Sequence, residues 1–183
     1  IYNMNQAIIT GATGFIGSVV VSVLIKNNIK VLALGRKDLD DVSLYKRELL
    51  KGATYLKIDM SEVNLLPERI SVIGWEVSDS CVFYNLAWGG QGKLSDLNIE
   101  AQLKNVSWSV SAMIAAKELK CERFVHIGTM EEAFTSKYLD LDYHKNNEYN
   151  RHVIYSVAKI ISKNYLKLMS KSLNLDLLFA TNS

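Results

Sequence analysis

A phenol, an ammonium group and a hydroxyl stand at positions from which they could act together on one proton. Tyr155 and Lys159 are four residues apart, so both project from the same face if this segment is helical. Thr129 follows an apolar run of strand length. A phenol has an ordinary pKa of about 10, and a lysine charge within ~4 to 6 Å lowers it by roughly 1 to 3 units. We therefore predict Tyr155 as an acid/base, with Lys159 lowering its pKa and Thr129 orienting the reacting oxygen.

The same spacing also fits a surface tyrosine and lysine on an ordinary amphipathic helix. Nine tyrosines in a lysine-rich chain give about one such pair by chance. Tyr155 is nevertheless the only tyrosine with a lysine four residues later, and it lies near the start of a helical segment that follows the fifth strand-like run. That position favours the catalytic interpretation.

A glycine-rich turn follows the first apolar run of the chain. Glycine allows positive φ and a close approach of the backbone to a pyrophosphate, and the N-terminus of the following helix stabilises the anion. A second strand-like run follows that helix, so the order is the βαβ order that a dinucleotide motif requires. A turn needed only for tight strand-to-helix packing would have the same residues. The predicted dinucleotide ligands of this turn are Gly11, Thr13, Gly14, Phe15, Ile16 and Gly17.

The residues at the end of the second strand-like run distinguish between two dinucleotides. Gly35 leaves room at this position, and Arg36 and Lys37 supply positive charge for a 2′-phosphate. We therefore predict NADP as the cofactor, with NAD as the alternative. In the alternative, both cations are solvated and Asp38 binds the ribose hydroxyls.

Two further strand ends carry candidate cofactor contacts. Asp59 could accept a hydrogen bond from the adenine amino group or cap the segment that starts at Ser61. The small residues around Trp88 would let the backbone pass beneath the cofactor, while Trp88 itself either lines a substrate pocket or simply packs. The predicted cofactor residues here are Asp59, Met60, Leu86, Ala87 and Trp88, and Tyr155 and Lys159 complete the set, with Lys159 on the nicotinamide ribose.

Strand-like and helix-like segments alternate along the chain. The strand runs are continuously apolar, as expected when both faces of a sheet are covered, which predicts an α/β doubly wound parallel sheet of the Rossmann type. We expect one dinucleotide-binding domain over residues 4–183, and we treat residues 1–3 as a remnant outside it. A short helix and loops should lie between Asp59 and Val82. The predicted strands are Gln6–Thr10, Lys30–Leu34, Thr54–Ile58, Cys81–Leu86, Arg123–Ile127 and Asp176–Ala180, and the main helices are Phe15–Lys26, Leu97–Leu119 and His152–Leu173.

Composition excludes several classes of protein. The net charge of +2 comes from interspersed acidic and basic residues, which argues against a nucleic-acid partner. No apolar run approaches a membrane span and no signal-peptide pattern is present, so we expect a cytoplasmic protein without a membrane partner. Cys81 and Cys121 lie in apolar runs as buried hydrophobes, and the spacing of His126, His144 and His152 makes no metal site.

In combination and order, these motifs resemble the extended short-chain dehydrogenases/reductases, the NAD-dependent epimerase/dehydratase family acting largely on nucleotide sugars. The resemblance implies hydride transfer between a tightly held nicotinamide cofactor and a sugar carbon, commonly C4, by a 4-ketoreductase or 4-epimerase. It implies Tyr155 as acid/base, Lys159 as the group that lowers its pKa, and Thr129 as the third member. The motifs that carry it are Gly11–Gly17, Asp59, Asn85–Ala87, Thr129, Tyr155 and Lys159.

Departures from the family pattern narrow the expected chemistry. Met130 replaces the aspartate of the dehydratases, which disfavours dehydration, and Glu131 beside it is a candidate substrate contact along with Trp88. Ala133–Phe134 replaces a common Tyr-Gly pair. The segment Ala87–Gly90 is similar to one in some deoxysugar 4-ketoreductases, and with Arg36 it favours reduction over epimerisation.

Two other functions stay open at this stage. One is a reductase of a non-sugar carbonyl, such as a flavonoid-like or steroid-like substrate. The other is a non-catalytic sensor or scaffold that binds NADP without turnover. The resemblance also allows a homodimer, and it implies a C-terminal substrate domain of which this chain holds almost none.

Overall fold

Six parallel strands form one sheet in the computed structural model, which describes residues 4–90, 98–139 and 153–182. The sheet order is β3-β2-β1-β4-β5-β6. This confirms the predicted α/β doubly wound sheet. The strands are β1 (Gln6–Thr10), β2 (Lys30–Gly35), β3 (Thr54–Lys57), β4 (Cys81–Asn85), β5 (Arg123–Thr129) and β6 (Asp176–Asn182).

Helices connect these strands in the expected alternation. A 3₁₀ turn (Met60–Leu65) and a short helix fill the segment predicted to hold a short helix and loops, and a second 3₁₀ turn (Met130–Phe134) follows β5. Leu97 and His152, the predicted first residues of two helices, lie outside the described residues, as does His144. The helices are α1 (Phe15–Lys26), α2 (Leu44–Leu49), α3 (Leu66–Val72), α4 (Ile99–Glu118), α5 (Thr135–Leu139) and α6 (Val153–Leu173).

Strand β5 is longer than the sequence predicts. It was expected to end at Ile127, but its pairing with β6 continues through Gly128 and Thr129. Thr129 is therefore the last residue of a strand rather than the first residue of a loop. Pairing with β6 fixes the position of Thr129, and no local sequence pattern predicts this pairing.

Both faces of the sheet are covered, which explains the uninterrupted apolar runs. All five residues of β1 are buried. Ala7 and Ile9 face the layer that contains Val21 of α1, whereas Ile8 faces the layer that contains Met113 of α4 and Leu166 of α6. Cys81 and Cys121 are buried, as predicted. No described helix is long and apolar enough to cross a membrane.

The sheet order reverses between β1 and β4, and the glycine turn lies at this point. Open α/β sheets bind ligands at the carboxyl ends of strands where the order reverses, because the connections diverge there and leave a crevice. Gly11 adopts φ +68°, and a Cβ on it would lie 2.8 Å from the amide nitrogen of Ala87 in the turn after β4. A Cβ on Gly17 would overlap the carbonyl oxygen of Gly11. Glycine at both positions therefore brings β1, α1 and the β4 turn together.

Gly17→Ala tests this packing. We expect the free energy of unfolding to fall by ~1 to 3 kcal/mol, because the new methyl group meets backbone rather than a mobile side chain. Urea denaturation measures it. Ser22→Ala on the same helix is the control and should stay within about 0.5 kcal/mol of the parent. Equal stability of the two variants would show that the turn does not need this close approach.

Candidate functional site

A cleft of about 620 Å³ opens at the carboxyl ends of the strands around β1. Of the predicted cofactor residues, ten line it: Gly11, Thr13, Gly14, Arg36, Lys37, Asp59, Met60, Leu86, Ala87 and Trp88. Phe15 is instead 85% exposed at the start of α1, Ile16 is half-buried and Gly17 packs under the turn. The sequence therefore located the cleft, and contacts of Phe15, Ile16 and Gly17 with a bound dinucleotide stay predictions.

The start of α1 leaves its amide groups available to an anion. Gly14 caps the helix without a side-chain hydrogen bond, and the first turn contains no acidic residue. Free N–H groups and the positive end of the helix dipole both stabilise phosphate. The cleft wall at this end is therefore suited to a pyrophosphate.

One end of the cleft is positively charged. Arg36 and Lys37 line it as predicted, and Lys46 of α2 joins them. The Nζ atom of Lys46 donates a hydrogen bond to the carbonyl oxygen of Thr13 at 2.7 Å. Sequence reasoning missed Lys46, because only the tertiary position of α2 places it beside the glycine turn.

The position of Gly35 is closed to any side chain. A Cβ there would overlap the hydroxyl oxygen of Tyr55, which donates to the carbonyl oxygen of Lys37 at 2.7 Å. Asp38, the alternative ribose ligand, instead pairs with Lys57 at 2.5 Å. The carboxylate that follows β2 is therefore already neutralised by a cation.

Asp59 has the capping role that was one of its two predicted alternatives. Its Oδ1 accepts hydrogen bonds from the amide and the hydroxyl of Ser61 at 2.9 and 2.7 Å. These bonds, with a smaller contribution from Arg36, hold the pKa of Asp59 below its usual value. Since Asp59 also lines the cleft, contact with a bound base stays a prediction.

A hydrogen-bonded chain runs from β1 to β5 below the cleft. Thr10 donates to the Oδ1 of Asn85 at 2.8 Å, and its hydroxyl oxygen accepts from the amides of Leu86 and Ala87 at 3.1 Å each. The amide nitrogen of Asn85 then lies 3.1 Å from Nδ1 of His126. Burial lowers the pKa of His126 to about 3, so the imidazole is a neutral core residue. The chain fixes the backbone that passes beneath the cleft.

Trp88 both lines the cleft and packs inside the protein. Its Nε1 donates to Oε1 of Gln102 at 2.8 Å. Its ring lies 3.8 Å from the Nζ atom of Lys159 and meets the ring of Tyr155 edge-on at 6.0 Å between centroids. Tyr155 and Lys159 thus contact a wall of the cleft through the indole, although neither is among the residues that line it.

Helix α4 holds the glycine pair after Trp88. Asn105 accepts from the amide of Gly89 at 2.6 Å and donates to its carbonyl oxygen at 2.7 Å. Gln102 and Asn105 are both buried. Sequence reasoning missed them, but two amide side chains three residues apart on the buried face of a helix were a detectable signal, because buried polar groups need partners.

The structure brings Thr129, Tyr155 and Lys159 together, as predicted. Lys159 is buried and donates to the carbonyl oxygen of Ile127 at 3.1 Å. Burial lowers its pKa to about 7. The hydroxyl of Thr129 lies near enough to the phenol of Tyr155 to lower its pKa. The three side chains therefore form one contact group at the edge of the sheet.

The pKa of Tyr155 moves in the direction opposite to our expectation. Burial raises it, the hydrogen bond from Thr129 lowers it, and the carboxylates of Glu132 and Glu131 raise it further. Lys159 does not reverse this, because its ammonium group points to the indole of Trp88 and lies 5.8 Å from the centroid of the phenol ring. In this structure the phenol is held protonated. Glu131 is half-buried nearby, and its contact with substrate stays a prediction.

The chain is similar to known proteins in family, in sequence and in structure. Residues 7–181 match the family model described as the NAD dependent epimerase/dehydratase family. The uncharacterized protein YbjS of Escherichia coli (strain K12) is 24% identical over 141 residues, which is 77% of this chain and 37% of that protein.

Solved structures share the fold at low sequence identity. The UDP-glucose 4-epimerase of Thermus thermophilus, in complex with NAD, is 17% identical with a TM-score of 0.68, over 95% of this chain and 53% of that one. The enzyme WbmH of Bordetella bronchiseptica, in complex with NAD⁺, is 20% identical with a TM-score of 0.66, over 98% and 56%. The UDP-glucose 4-epimerase of Thermotoga maritima, with UDP-glucose, is 17% identical with a TM-score of 0.66, over 95% and 54%. The chain thus spans little more than half the length of these structures.

Burial of Lys159 predicts a pH-dependent stability. Because the pKa is lowered from 10.5 to about 7, the unfolded state binds more protons than the folded state between these values, and stability should rise with pH there. Burial of a charge destabilises the parent protein, so Lys159→Met should have the higher free energy of unfolding near pH 7. This difference in free energy should shrink between about pH 7 and 10, by up to ~1.4 kcal/mol per pH unit. Urea denaturation across this range measures it, with the exposed Lys167→Met as control. A difference that is constant with pH would contradict the burial of the ammonium group.

Proposed function

The chain belongs to the NAD dependent epimerase/dehydratase family. On that premise, we propose that it binds a nicotinamide dinucleotide and transfers hydride to or from carbon C4 of the sugar in a nucleotide sugar. One observation carries the proposal. The cleft beside the glycine turn shares Trp88 with the group of Thr129, Tyr155 and Lys159. A proton-transfer group and a phosphate-binding turn therefore meet at one wall.

The protonation of Tyr155 supports reduction over epimerisation. When bound, a nicotinamide supplies the hydride chemistry. Burial and two carboxylates keep the phenol protonated, so Tyr155 is prepared to donate its proton to a carbonyl oxygen that becomes a hydroxyl. Thr129, whose hydroxyl lies near that phenol, would hold the same oxygen. The proposed reaction is the reduction of a 4-keto sugar.

The charged end of the cleft supports NADP rather than NAD. Arg36, Lys37 and Lys46 surround it, and Tyr55 leaves no space for a carboxylate at position 35. A 2′-phosphate needs positive charge and an absence of nearby unpaired carboxylates. The solved structures from Thermus and Bordetella hold NAD, so the NADP preference rests on residues of this chain alone.

The proposed setting is cytoplasmic, and the proposed assembly is a homodimer of one dinucleotide-binding domain per chain. Ile99 and Leu103 of α4 expose 58% and 52% of their surface and line an apolar groove with Val157 and Ile161 of α6. Exposed apolar side chains grouped on packed helices are typical of contacts between proteins. Helices α4 and α6 are therefore the faces that we propose to meet.

Tyr155→Phe separates an enzyme from a sensor or scaffold. We expect the rate of NADPH oxidation with 4-keto nucleotide sugars to fall by ~10²- to 10⁴-fold, because the proton donor is lost. The affinity for NADPH, measured by fluorescence titration, should change less than about threefold, since the phenyl ring keeps its packing. An undiminished rate would remove Tyr155 as the acid. NADPH binding by the parent protein without any turnover would favour the sensor.

Arg36→Ala tests the choice of cofactor. The affinity for NADP should fall by about tenfold or more, as for a lost charge-assisted hydrogen bond, while that for NAD stays unchanged. Isothermal titration of both dinucleotides measures the ratio. Lys104→Ala is the matched control, because Lys104 also lines the cleft but pairs with Glu100 at 2.8 Å. An unchanged ratio in Arg36→Ala would contradict the preference for NADP.

A further inference from the structure

The 3₁₀ turn after β5 contains a carboxylate, Glu132, whose only part in the proposed reaction is its charge. The side chain of Glu132 is only 11% exposed. Its Oε1 accepts a hydrogen bond from the backbone amide of Thr129 at 3.0 Å, and its Oε2 accepts from Nζ of Lys163 at 2.9 Å. The two oxygens therefore bind two different elements, the end of β5 and helix α6.

Lys163 lies one helical turn after Lys159 on α6, the helix that also carries Tyr155. Its pairing with Glu132 joins this helix to the strand that ends at Thr129. The hydroxyl of Thr129 is near enough to the phenol of Tyr155 to lower its pKa. The carboxylate of Glu132 thus links the strand that carries Thr129 to the helix that carries Tyr155.

Gly128 leaves the space that this carboxylate occupies. A Cβ on Gly128 would lie 2.8 Å from Oε1 of Glu132. The φ angle of Gly128 is not in the left-handed region, so alanine there disturbs the carboxylate rather than the backbone.

We propose that Glu132 is a positioning residue, which clamps Thr129 to helix α6 so that the hydroxyl of Thr129 meets the phenol of Tyr155. The assignment rests on the proposed function of that pair. Glu132 acts through Thr129 and needs no contact with substrate or cofactor.

The charges around the phenol provide a readout that distinguishes positioning from charge. Lys159 faces Tyr155 from α6, Glu131 and Glu132 face it from the 3₁₀ turn, and the neutral His126 lies on β5. The charge of Glu132 raises the pKa of Tyr155, whereas the hydrogen bond from Thr129 lowers it. Removing the charge of Glu132 should therefore lower the pKa of Tyr155, whereas displacing the hydroxyl of Thr129 should raise it.

Two variants separate these effects. Glu132→Gln keeps an acceptor oxygen for the amide of Thr129 and removes the charge, so the phenolate fraction of Tyr155 should rise. Gly128→Ala keeps the charge but displaces the carboxylate, so Thr129 loses its position and the phenolate fraction should fall. We would measure the fraction at about pH 10, the ordinary pKa of tyrosine, by ultraviolet difference absorbance between each protein and the same protein with Tyr155→Phe.

Amide exchange tests the position of Thr129 directly. In Glu132→Ala and Gly128→Ala, the Thr129 amide should exchange at least ~10-fold faster by NMR, because each loses its acceptor. Glu131→Gln is the matched control on the same turn: it should raise the phenolate fraction and leave this exchange unchanged. Adding Gly128→Ala to Glu132→Ala should not speed the exchange of the Thr129 amide further. The carboxylate that a methyl group at position 128 would displace is already absent from the single variant.

The proposal is overturned if Gly128→Ala leaves the phenolate fraction unchanged or raises it, or if Glu132→Ala leaves the Thr129 amide protected. None of these measurements needs substrate, cofactor or turnover. A protein that proves inactive would therefore refute the proposed reaction without deciding the role of Glu132, and the reverse also holds.

Discussion

The positions of the other site residues depend on one contact, which the turns after β1 and β4 make where the strand order of the sheet reverses. The glycine turn after β1 and the turn after β4 approach so closely that Gly11 lies against the amide of Ala87. The hydroxyl of Thr10 stabilises this contact by binding the amides of Leu86 and Ala87 together. Thr10 is buried, and leaving a buried hydroxyl without partners would cost about 1 to 3 kcal/mol. The cleft therefore has a rigid floor.

The same floor is coupled to the acid/base group through buried polar side chains. Thr10 binds Asn85, which binds His126 on β5, the strand that ends at Thr129. Since Asn85 uses its oxygen to accept from Thr10, its nitrogen donates to Nδ1 of His126, and the imidazole proton lies on Nε2. The ring of Phe179 meets the imidazole edge-on at 6.2 Å. Three adjacent strands are thus held in register by side chains as well as by the backbone ladder.

Local patterns were sufficient to predict the fold but only part of the site. Strand β1 and helix α1 have their predicted bounds because an apolar run, a glycine turn and an amphipathic segment are contiguous in sequence. The position of Lys46 at the glycine turn and the filling of the Gly35 site by Tyr55 depend on how distant elements pack. The residues in each of these two contacts are far apart in the sequence, and no residue spacing predicts that they meet. The roles of polar residues are thus harder to predict than the strand ends that carry them.

The pKa of Tyr155 is raised chiefly by burial of the phenol and further by the carboxylates of Glu132 and Glu131, and the charge of Lys159 does not offset this. Burial makes an ammonium group costly, and the indole face of Trp88 offsets only part of that cost, so the pKa of Lys159 falls to about 7. The lysine therefore gives the phenolate form of Tyr155 little support, and Tyr155 stays protonated. If the phenol loses its proton, however, the new negative charge nearby raises the pKa of Lys159, and the lysine takes up a proton.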